Sequence, residues 1–325
     1  MKKILVIQTA FIGDAILATG IIEKLHQYYT ETEIHFLVRK GNESLFENHP
    51  FLRQVLVWDK SKKYSDLWRL LQAIRKEKFD VAINLQRFGA TGLLTGFSGA
   101  TKTIGFEKNP FFFLFSESYP HEIQNSKHEV ERNHELIKNI TDNHFEKPKL
   151  YPSEKDINLI SKYTENPFVC IAPASVWFTK QLPEEKWVEL INKTNSAYTI
   201  FILGSKADND LAQRIIDAAP NKNVVNLCGK ISLLQSAVLM KLATMNYVND
   251  SAPLHLASSV NAPVTAFFCS TIPEFGFGPL SENSQVIQTE EKLICRPCGL
   301  HGKKACPEGH FKCGKSINIS SVPNT

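Results

Sequence analysis

The chain has 325 residues, of which 43% are hydrophobic, 22% charged and 10% aromatic. These values are typical of globular proteins, and the length suits about two domains. Sixteen glycines and sixteen prolines exclude collagen-like and low-complexity chains. The net charge of +4 is too small to favour a nucleic-acid-binding protein, which usually carries a stronger basic surface.

The N-terminal segment is similar to a secretory signal, because two lysines precede an apolar run. Gln8, Thr9 and Asp14 interrupt that run, so no signal peptide is predicted. No run approaches the roughly 18 apolar residues of a membrane-spanning helix. The expected compartment is therefore the cytoplasm, where thiols stay reduced.

Short apolar runs alternate with helical patterns along the first half of the chain. Strands are predicted at residues 3–8, 33–38, 55–59, 81–86 and 103–106, and helices at 15–29 and 65–76. A helix around 130–140 and a polar interdomain connection follow. Alternation of this kind indicates parallel βαβ units.

The same alternation starts again after the connection. Strands are predicted at 168–173, 199–204, 224–228, 246–249 and 264–268, and helices at 184–193, 207–218, 233–243 and 253–259. The sequence therefore predicts an α/β protein with two Rossmann-like doubly wound domains, residues 1–150 and 151–325, facing a central cleft. We expect ligands in that cleft, because strand carboxyl ends and helix N-termini can face it.

Two turns at predicted strand ends contain candidate site residues. The first, from Gln8 to Asp14, lacks the GxGxxG dinucleotide motif, and Asp14 suits a helix cap and a catalytic carboxylate equally. The equivalent turn of the second half contains Ser175 and Lys180, which suit anionic oxygens. For an isolated lysine, a solvated surface position is the more frequent alternative.

A third segment runs from a strand end into a helix that begins near Pro253. Asp250 or Ser251 can cap this helix, and its backbone N–H groups form an anion site. His255 can reach a phosphate, although a structural histidine is the more frequent case. Asp250 repels phosphate, so we expect it to bind the backbone as a scaffold.

The tail, residues 290–315, has the pattern Cys295-x2-Cys298-x7-Cys306-x6-Cys313. A structural zinc site fits this pattern, with free packed thiols or a transient disulfide as alternatives. The tail contains six Lys or Arg and three acidic residues, which favours anionic lipid or saccharide phosphate over nucleic acid. The aromatic run at 110–115 is predicted as a buried loop under a lid, with membrane or lipid contact as the alternative.

Together these segments resemble glycosyltransferase family 9, the ADP-heptose:lipopolysaccharide heptosyltransferases. The resemblance rests on KILVIQTAFIGDAILAT, APASVWFTKQLPEEKW and NDSAPLHLASSVNAPVTAFF, which occur in the family's order across most of the chain. The tail CRPCGLHGKKACPEGHFKC looks like that of part of the family. Membership implies the GT-B fold, with acceptor bound mainly by the first domain and nucleotide-sugar mainly by the second.

The resemblance also implies residue roles. Asp14 matches the catalytic base of an inverting transfer, and Lys180 matches the lysine that binds the donor phosphates. The further implied binding residues are Thr9, Gly13, Ser175, Asp208 at the ribose hydroxyls, and Asp250, Ser251, Ala252 and His255 around the diphosphate. No cofactor or catalytic metal is implied, because Lys180 and backbone N–H groups meet the leaving-group charge.

The implied donor is ADP-heptose, and the implied acceptor is a lipid-linked saccharide of lipopolysaccharide core type at the inner face of the cytoplasmic membrane. Two departures concern the donor pocket. Ala252 stands where the family has glycine, and Cys269-Ser270-Thr271 stands where it has Gly-Pro-Thr. A sugar-nucleotide epimerase on the same scaffold and a non-catalytic nucleotide-sugar or zinc-dependent interaction protein remain the alternatives.

Overall fold

The computed structural model describes residues 1–123, 126–219 and 223–322, with backbone alone at residues 63 and 64. It divides into two units, Met1–Tyr151 and Pro152–Thr325. Each unit is built around a sheet of six parallel strands within the described residues. Both units are therefore Rossmann-like, as the alternation of strands and helices predicts.

The sheet of the first unit has the order β3-β2-β1-β4-β5-β6. Its strands are Lys3–Ile7 (β1), Glu33–Arg39 (β2), Leu52–Trp58 (β3), Val81–Asn84 (β4), Lys102–Phe106 (β5) and Glu117–Tyr119 (β6). Residues 4–7 of β1 are fully buried, since helices cover both faces of a parallel sheet. The short edge strand β6 is absent from the predicted set, because its three polar or half-buried residues show no apolar alternation.

The α-helices of the first unit are Ile12–Leu17 (α1), Thr19–Tyr28 (α2), Lys63–Glu77 (α3), Gly89–Gly96 (α4) and Glu129–Glu135 (α5). The single helix predicted at 15–29 is wrong, because it breaks at Ala18 into α1 and α2. The Thr19 hydroxyl donates to the Ile16 carbonyl at 2.7 Å, a local bond that competes with helix geometry.

Helix α4 has no counterpart among the predicted elements, since it begins and ends with glycine. Its glycines provide room for the following loop. A Cβ on Gly89 would lie 3.0 Å from the Phe111 ring, and one on Gly96 would lie 2.7 Å from Leu114 Cβ. Packing of the aromatic loop thus outweighs the low helix propensity of glycine.

The second unit repeats the topology, with the order β12-β11-β10-β7-β8-β9. Its strands are Phe168–Ala172 (β7), Thr199–Ile202 (β8), Val224–Asn226 (β9), Met245–Asn249 (β10), Val264–Phe268 (β11) and Ser284–Gln288 (β12). Strand β12 is absent from the predicted set because its sequence, SQVIQ, is largely polar and lies at the sheet edge.

The α-helices of the second unit are Glu154–Ile160 (α6), Glu184–Lys193 (α7), Asn209–Ala218 (α8), Leu233–Leu242 (α9), Ala252–Ser259 (α10) and Lys312–Lys315 (α11). The predicted helix at 184–193 is confirmed, and it buries Trp187, Leu190 and Ile191. The tail joins the same core through Phe311 and Cys313. The cysteine-rich segment is therefore an integral part of the second unit.

Candidate functional site

The turn after β1 places Asp14 in the first turn of α1. The N-cap residue is Phe11, and its side chain makes no capping hydrogen bond. Asp14 is therefore not the N-cap residue, and its carboxylate lies in the first turn, near the positive end of the helix dipole. Gly13 is the second residue of α1, and the fully buried Thr9 hydroxyl has no hydrogen-bond partner among the described residues.

Two cations follow the neighbouring strands of the first unit. Arg87 comes after β4 and Lys108 after β5, and these strands lie on one side of β1 in the sheet. Much of the Lys108 side chain is exposed, but its ammonium lies 4.9 Å from the centre of the Phe106 ring. Desolvation of the ammonium itself lowers the pKa of Lys108 to about 8, while the Glu129 and Asp14 carboxylates act to raise it. The Asp14 carboxylate therefore lies within electrostatic range of this ammonium.

A buried ionic network supports this cationic region. Glu129 binds His121 Nε2 at 3.1 Å through both carboxylate oxygens, and it accepts from Arg132 Nε at 2.8 Å. Burial acts to raise the pKa of Glu129, but the His121 hydrogen bond and the charges of His121, Arg132 and Lys108 hold it at about 2. The Glu129 carboxylate is thus a permanent negative charge that lies among Arg132, His121 and Lys108.

Sequence reasoning missed Lys108, Arg87 and this network. The position of Arg87 and Lys108 just after strand ends is a signal that could have identified both. The Glu129–Arg132 pair has no such signal, because charged residues three apart on a helix usually lie on the solvent face.

The turn after β7 places Lys180 in an ion pair with Asp250. Lys180 Nζ lies 2.7 Å from Asp250 Oδ2, and the side chains are only 16% and 4% exposed. Thr271 Oγ1 donates to the same oxygen at 2.6 Å. The solvated-lysine alternative is therefore wrong. Asp250 is a scaffold, but its carboxylate binds side chains rather than the backbone as expected.

Helix α10 begins without a side-chain cap. Ser251 is its N-cap residue, yet its hydroxyl makes no capping bond and lies 3.4 Å from the Asn249 carbonyl. The expected capping by Asp250 or Ser251 is therefore wrong. Ala252 is not among the residues with positive φ, so the exchange of the family's glycine for alanine brings no left-handed strain. His255 is buried in the first turn.

Ser175 and Asp208 both lie in loops after neighbouring strands, β7 and β8. The Ser175 hydroxyl accepts a long bond of 3.4 Å from the Trp177 N–H. One oxygen of Asp208 accepts from the Ser205 N–H and from the Ser205 hydroxyl, both at 2.7 Å. The structure thus brings Ser175, Lys180, Asp208, Asp250, Ser251 and Ala252 to the carboxyl edge of one sheet.

All seven cysteines are free thiols. The Cys298 thiol donates to the Cys295 carbonyl at 3.2 Å, and Cys295 Sγ lies 3.9 Å from His310 Nε2. Burial raises the pKa of Cys313 to about 11. Across the described residues, which include the whole tail, no three His, Cys, Asp or Glu side chains are placed to hold a metal ion. As they lie, the tail cysteines do not form a zinc site.

The aromatic run at residues 110–115 is exposed in part. Phe112 is 41% and Phe113 is 68% accessible, and Phe88 and Phe97, which flank α4, are about half accessible. The predicted buried loop is therefore wrong for these side chains. Among the described residues, no helix combines the length and apolarity needed to span a bilayer.

Two doubly wound units, each with polar side chains at the carboxyl edge of its sheet, are the architecture of the GT-B fold. Residues 67–306 match the model of glycosyltransferase family 9 (heptosyltransferase). This match covers more than half of the chain, which therefore belongs to that family and is a glycosyltransferase.

Individual relatives are distant but cover nearly the whole chain. Lipopolysaccharide heptosyltransferase 1 of Campylobacter coli is 24% identical over 315 residues, which is 90% of each chain. The structure of E. coli ADP-heptose lps heptosyltransferase II is 21% identical, with a TM-score of 0.78 over 96% of this chain and 97% of that chain. A family 9 glycosyl transferase from Veillonella parvula has a TM-score of 0.79 at 21% identity, over 88% and 85% of the two chains. These structures share the fold.

Proposed function

We propose that this protein transfers heptose from ADP-heptose to a lipid-linked saccharide of lipopolysaccharide core type, with inversion and without a catalytic metal. The observation that carries the proposal is the buried Lys180–Asp250 pair at the start of α10. The names of the relatives support heptose as the sugar and lipopolysaccharide as the acceptor class.

The second unit would bind the donor. Lys180 supplies a positive charge to the diphosphate, and the uncapped N-terminus of α10 supplies N–H groups. A bound diphosphate competes with Asp250 for Lys180, so Asp250 orients the ammonium rather than contacting phosphate. The Ser175 hydroxyl can donate a further hydrogen bond to the diphosphate, and His255 lies in the first turn of α10. Asp208 has one carboxylate oxygen left to accept from the ribose hydroxyls.

The first unit would bind the acceptor, with Thr9 and Gly13 in the turn that contacts it. Asp14 takes the proton from the acceptor hydroxyl as that oxygen attacks the anomeric carbon, and the bond to the diphosphate breaks. Lys108 adds a positive charge within electrostatic range of the Asp14 carboxylate. Exposed Phe112 and Phe113 suit contact with the lipid of the acceptor at the cytoplasmic membrane face.

A thermal-shift screen of ADP, UDP, GDP and CDP tests the donor assignment, because a ligand that binds only the folded state raises Tm. A clear preference for ADP is the expected result, and no shift with any nucleotide would contradict ADP-heptose as the donor.

Structural zinc in the tail remains a prediction from the Cys295, Cys298, Cys306 and Cys313 pattern. Metal analysis of untagged protein tests it independently of activity. One equivalent of zinc would require these thiols to move together from the positions described above, and metal well below one equivalent would contradict the prediction.

A further inference from the structure

Arg296, in the cysteine-rich tail, binds the loop that follows β11. Its Nε donates to the Cys269 carbonyl at 2.7 Å, and its Nη2 donates to the Thr271 carbonyl at 2.8 Å and to the Phe268 carbonyl at 3.3 Å. Nη2 also donates to Gln288 Oε1 at 2.7 Å. One half-buried guanidinium therefore binds three carbonyls within four residues at the end of β11.

This loop supports the candidate phosphate site directly. The Thr271 carbonyl accepts from Arg296, while the Thr271 hydroxyl donates to Asp250, and Asp250 pairs with Lys180. A chain of three direct contacts thus connects the tail arginine to the lysine ammonium. The guanidinium reaches these acceptors from two nitrogens, Nε and Nη2, that are held in one plane, whereas all the donors of a lysine ammonium are on one nitrogen.

The tail also binds the Lys180 loop itself. The Thr179 N–H donates to the Lys303 carbonyl at 3.1 Å, and the Lys303 N–H donates to Thr179 Oγ1 at 2.8 Å. Ser270 joins the two loops, since its hydroxyl donates to Thr179 Oγ1 at 3.0 Å and its N–H donates to the Thr179 carbonyl at 3.2 Å. A proline at position 270, as in the family pattern, could make neither bond.

Gly302 allows the tail to lie close to Lys180 because glycine has no side chain. A Cβ at this position would lie 2.4 Å from Trp177 Cβ and 2.7 Å from Lys180 Cγ. The tail backbone therefore lies directly against the stem of Lys180, and any side chain at position 302 would displace the Lys180 loop.

We propose that Arg296 is a positioning residue for the donor-phosphate site, acting through Thr271 and Asp250 on Lys180. The inference rests on the proposed function, because it assigns the tail a role in binding the ADP diphosphate. Its consequence is specific: loss of Arg296 weakens binding of the diphosphate but not of the nucleoside, since the bonds of Arg296 lead to Lys180.

Isothermal titration of Arg296→Gln and Arg296→Lys with ADP and with adenosine tests this consequence. We expect both variants to bind ADP about tenfold more weakly, equivalent to loss of about 1.4 kcal/mol. Adenosine affinity should stay within about twofold. Lys304→Ala is the matched control, because Lys304 is an exposed tail cation, and it should bind both ligands as the wild type does.

A double-mutant cycle with Lys180→Met separates positioning from a general structural role. If Arg296 acts through Lys180, Arg296→Gln causes no further loss of ADP affinity in the Lys180→Met background. Additive losses, equal losses for ADP and adenosine, or unchanged ADP affinity would each overturn the inference. Unfolding temperatures and circular dichroism verify that the variants fold.

Gly302→Ala is the second variant, needed in case Arg296→Gln does not fold. It perturbs Lys180 from the opposite side and should produce the same ADP-selective loss, while unchanged ADP affinity would overturn the inference. Wild-type protein that does not bind ADP overturns the proposed function as well. Wild-type protein that binds ADP, with variants that bind it equally well, overturns the positioning role alone.

Discussion

Two ion pairs with little exposure to water, one in each unit, consist of charges that compensate each other. Lys180 and Asp250 form such a pair in the second unit, and Glu129 and Arg132 form one in the first. Removing one member of a buried pair is costly, because the other charge is left without compensation in a medium that solvates it poorly. Each pair can therefore be tested through the free energy of unfolding.

Glu129→Gln should reduce the free energy of unfolding by about 3 kcal/mol, because buried Arg132 and His121 lose their shared carboxylate. Urea unfolding measures this loss. Glu135→Gln on the same helix is the control, since the partly exposed Glu135 pairs with Lys127 and Lys138, and such pairs contribute at most about 1 kcal/mol. Equal effects of the two substitutions would contradict the assigned network.

The same substitution should change the acid stability of the protein. The pKa of Glu129 is about 2 in the folded protein, below its ordinary value of 4.5. Between pH 4.5 and pH 2, Glu129 is therefore protonated in the unfolded chain but not in the folded one. Its stabilisation is therefore present above pH 4.5 and is lost as pH falls towards 2. Glu129→Gln should flatten this part of the stability profile.

Lys108 provides the corresponding test on the alkaline side. Its pKa is about 8, so its positive charge disappears as pH rises through that value. If Lys108 helps to bind an anionic acceptor, kcat/KM for the acceptor falls above about pH 8. Lys108→Arg should extend activity to higher pH, because arginine stays protonated. Lys102→Arg, at the start of β5, is the control, and an unchanged alkaline limb in Lys108→Arg would contradict the role.

At the scale of elements, those with strong apolar or amphipathic patterns are predictable from the sequence, and short or polar elements such as β6 and β12 are not. The apolar runs of β1, β7 and β11 and the amphipathic pattern of α7 determine those elements locally. Helix α4 and the break at Ala18 depend on tertiary packing and on a local hydroxyl bond, which periodicity does not report.

The candidate site shows the same division. The turns that contain Asp14, Lys180 and Asp250 follow from topology, because each comes after a strand of a parallel sheet. The roles of these residues follow only from the family resemblance. The contacts between the tail and the Lys180 loop join residues more than 120 positions apart, and no spacing rule connects them. Phe113 is exposed although the sequence predicted a buried loop, and this difference also follows from how the loop packs on α4.

The exposed phenylalanines beside α4 predict binding to lipid. Phe113→Ser and Phe112→Ser should each weaken sedimentation with vesicles that contain anionic phospholipid, because each removes an exposed aromatic ring. The Tm should change less for Phe113→Ser than for Phe112→Ser, since Phe113 is 68% and Phe112 is 41% accessible. Phe145→Ser, which alters a phenylalanine of similar exposure, is the control. Vesicle binding that is unaffected by all three substitutions would contradict a membrane role for this loop.

At the scale of the whole molecule, two units with the same strand order divide the chemistry. The first contains the carboxylate and cations suited to an acceptor, and the second contains the lysine, hydroxyl and helix N-terminus suited to a diphosphate. Membership of glycosyltransferase family 9 establishes sugar transfer.

The most direct test is turnover of ADP-heptose by Asp14→Ala, with a lipopolysaccharide-core acceptor and with ADP affinity measured in parallel. The proposed function predicts that turnover is abolished while ADP binds nearly as tightly as to the wild type, because Asp14 acts on the acceptor hydroxyl and belongs to the first unit. Turnover at the wild-type rate in Asp14→Ala would contradict its role as the catalytic base.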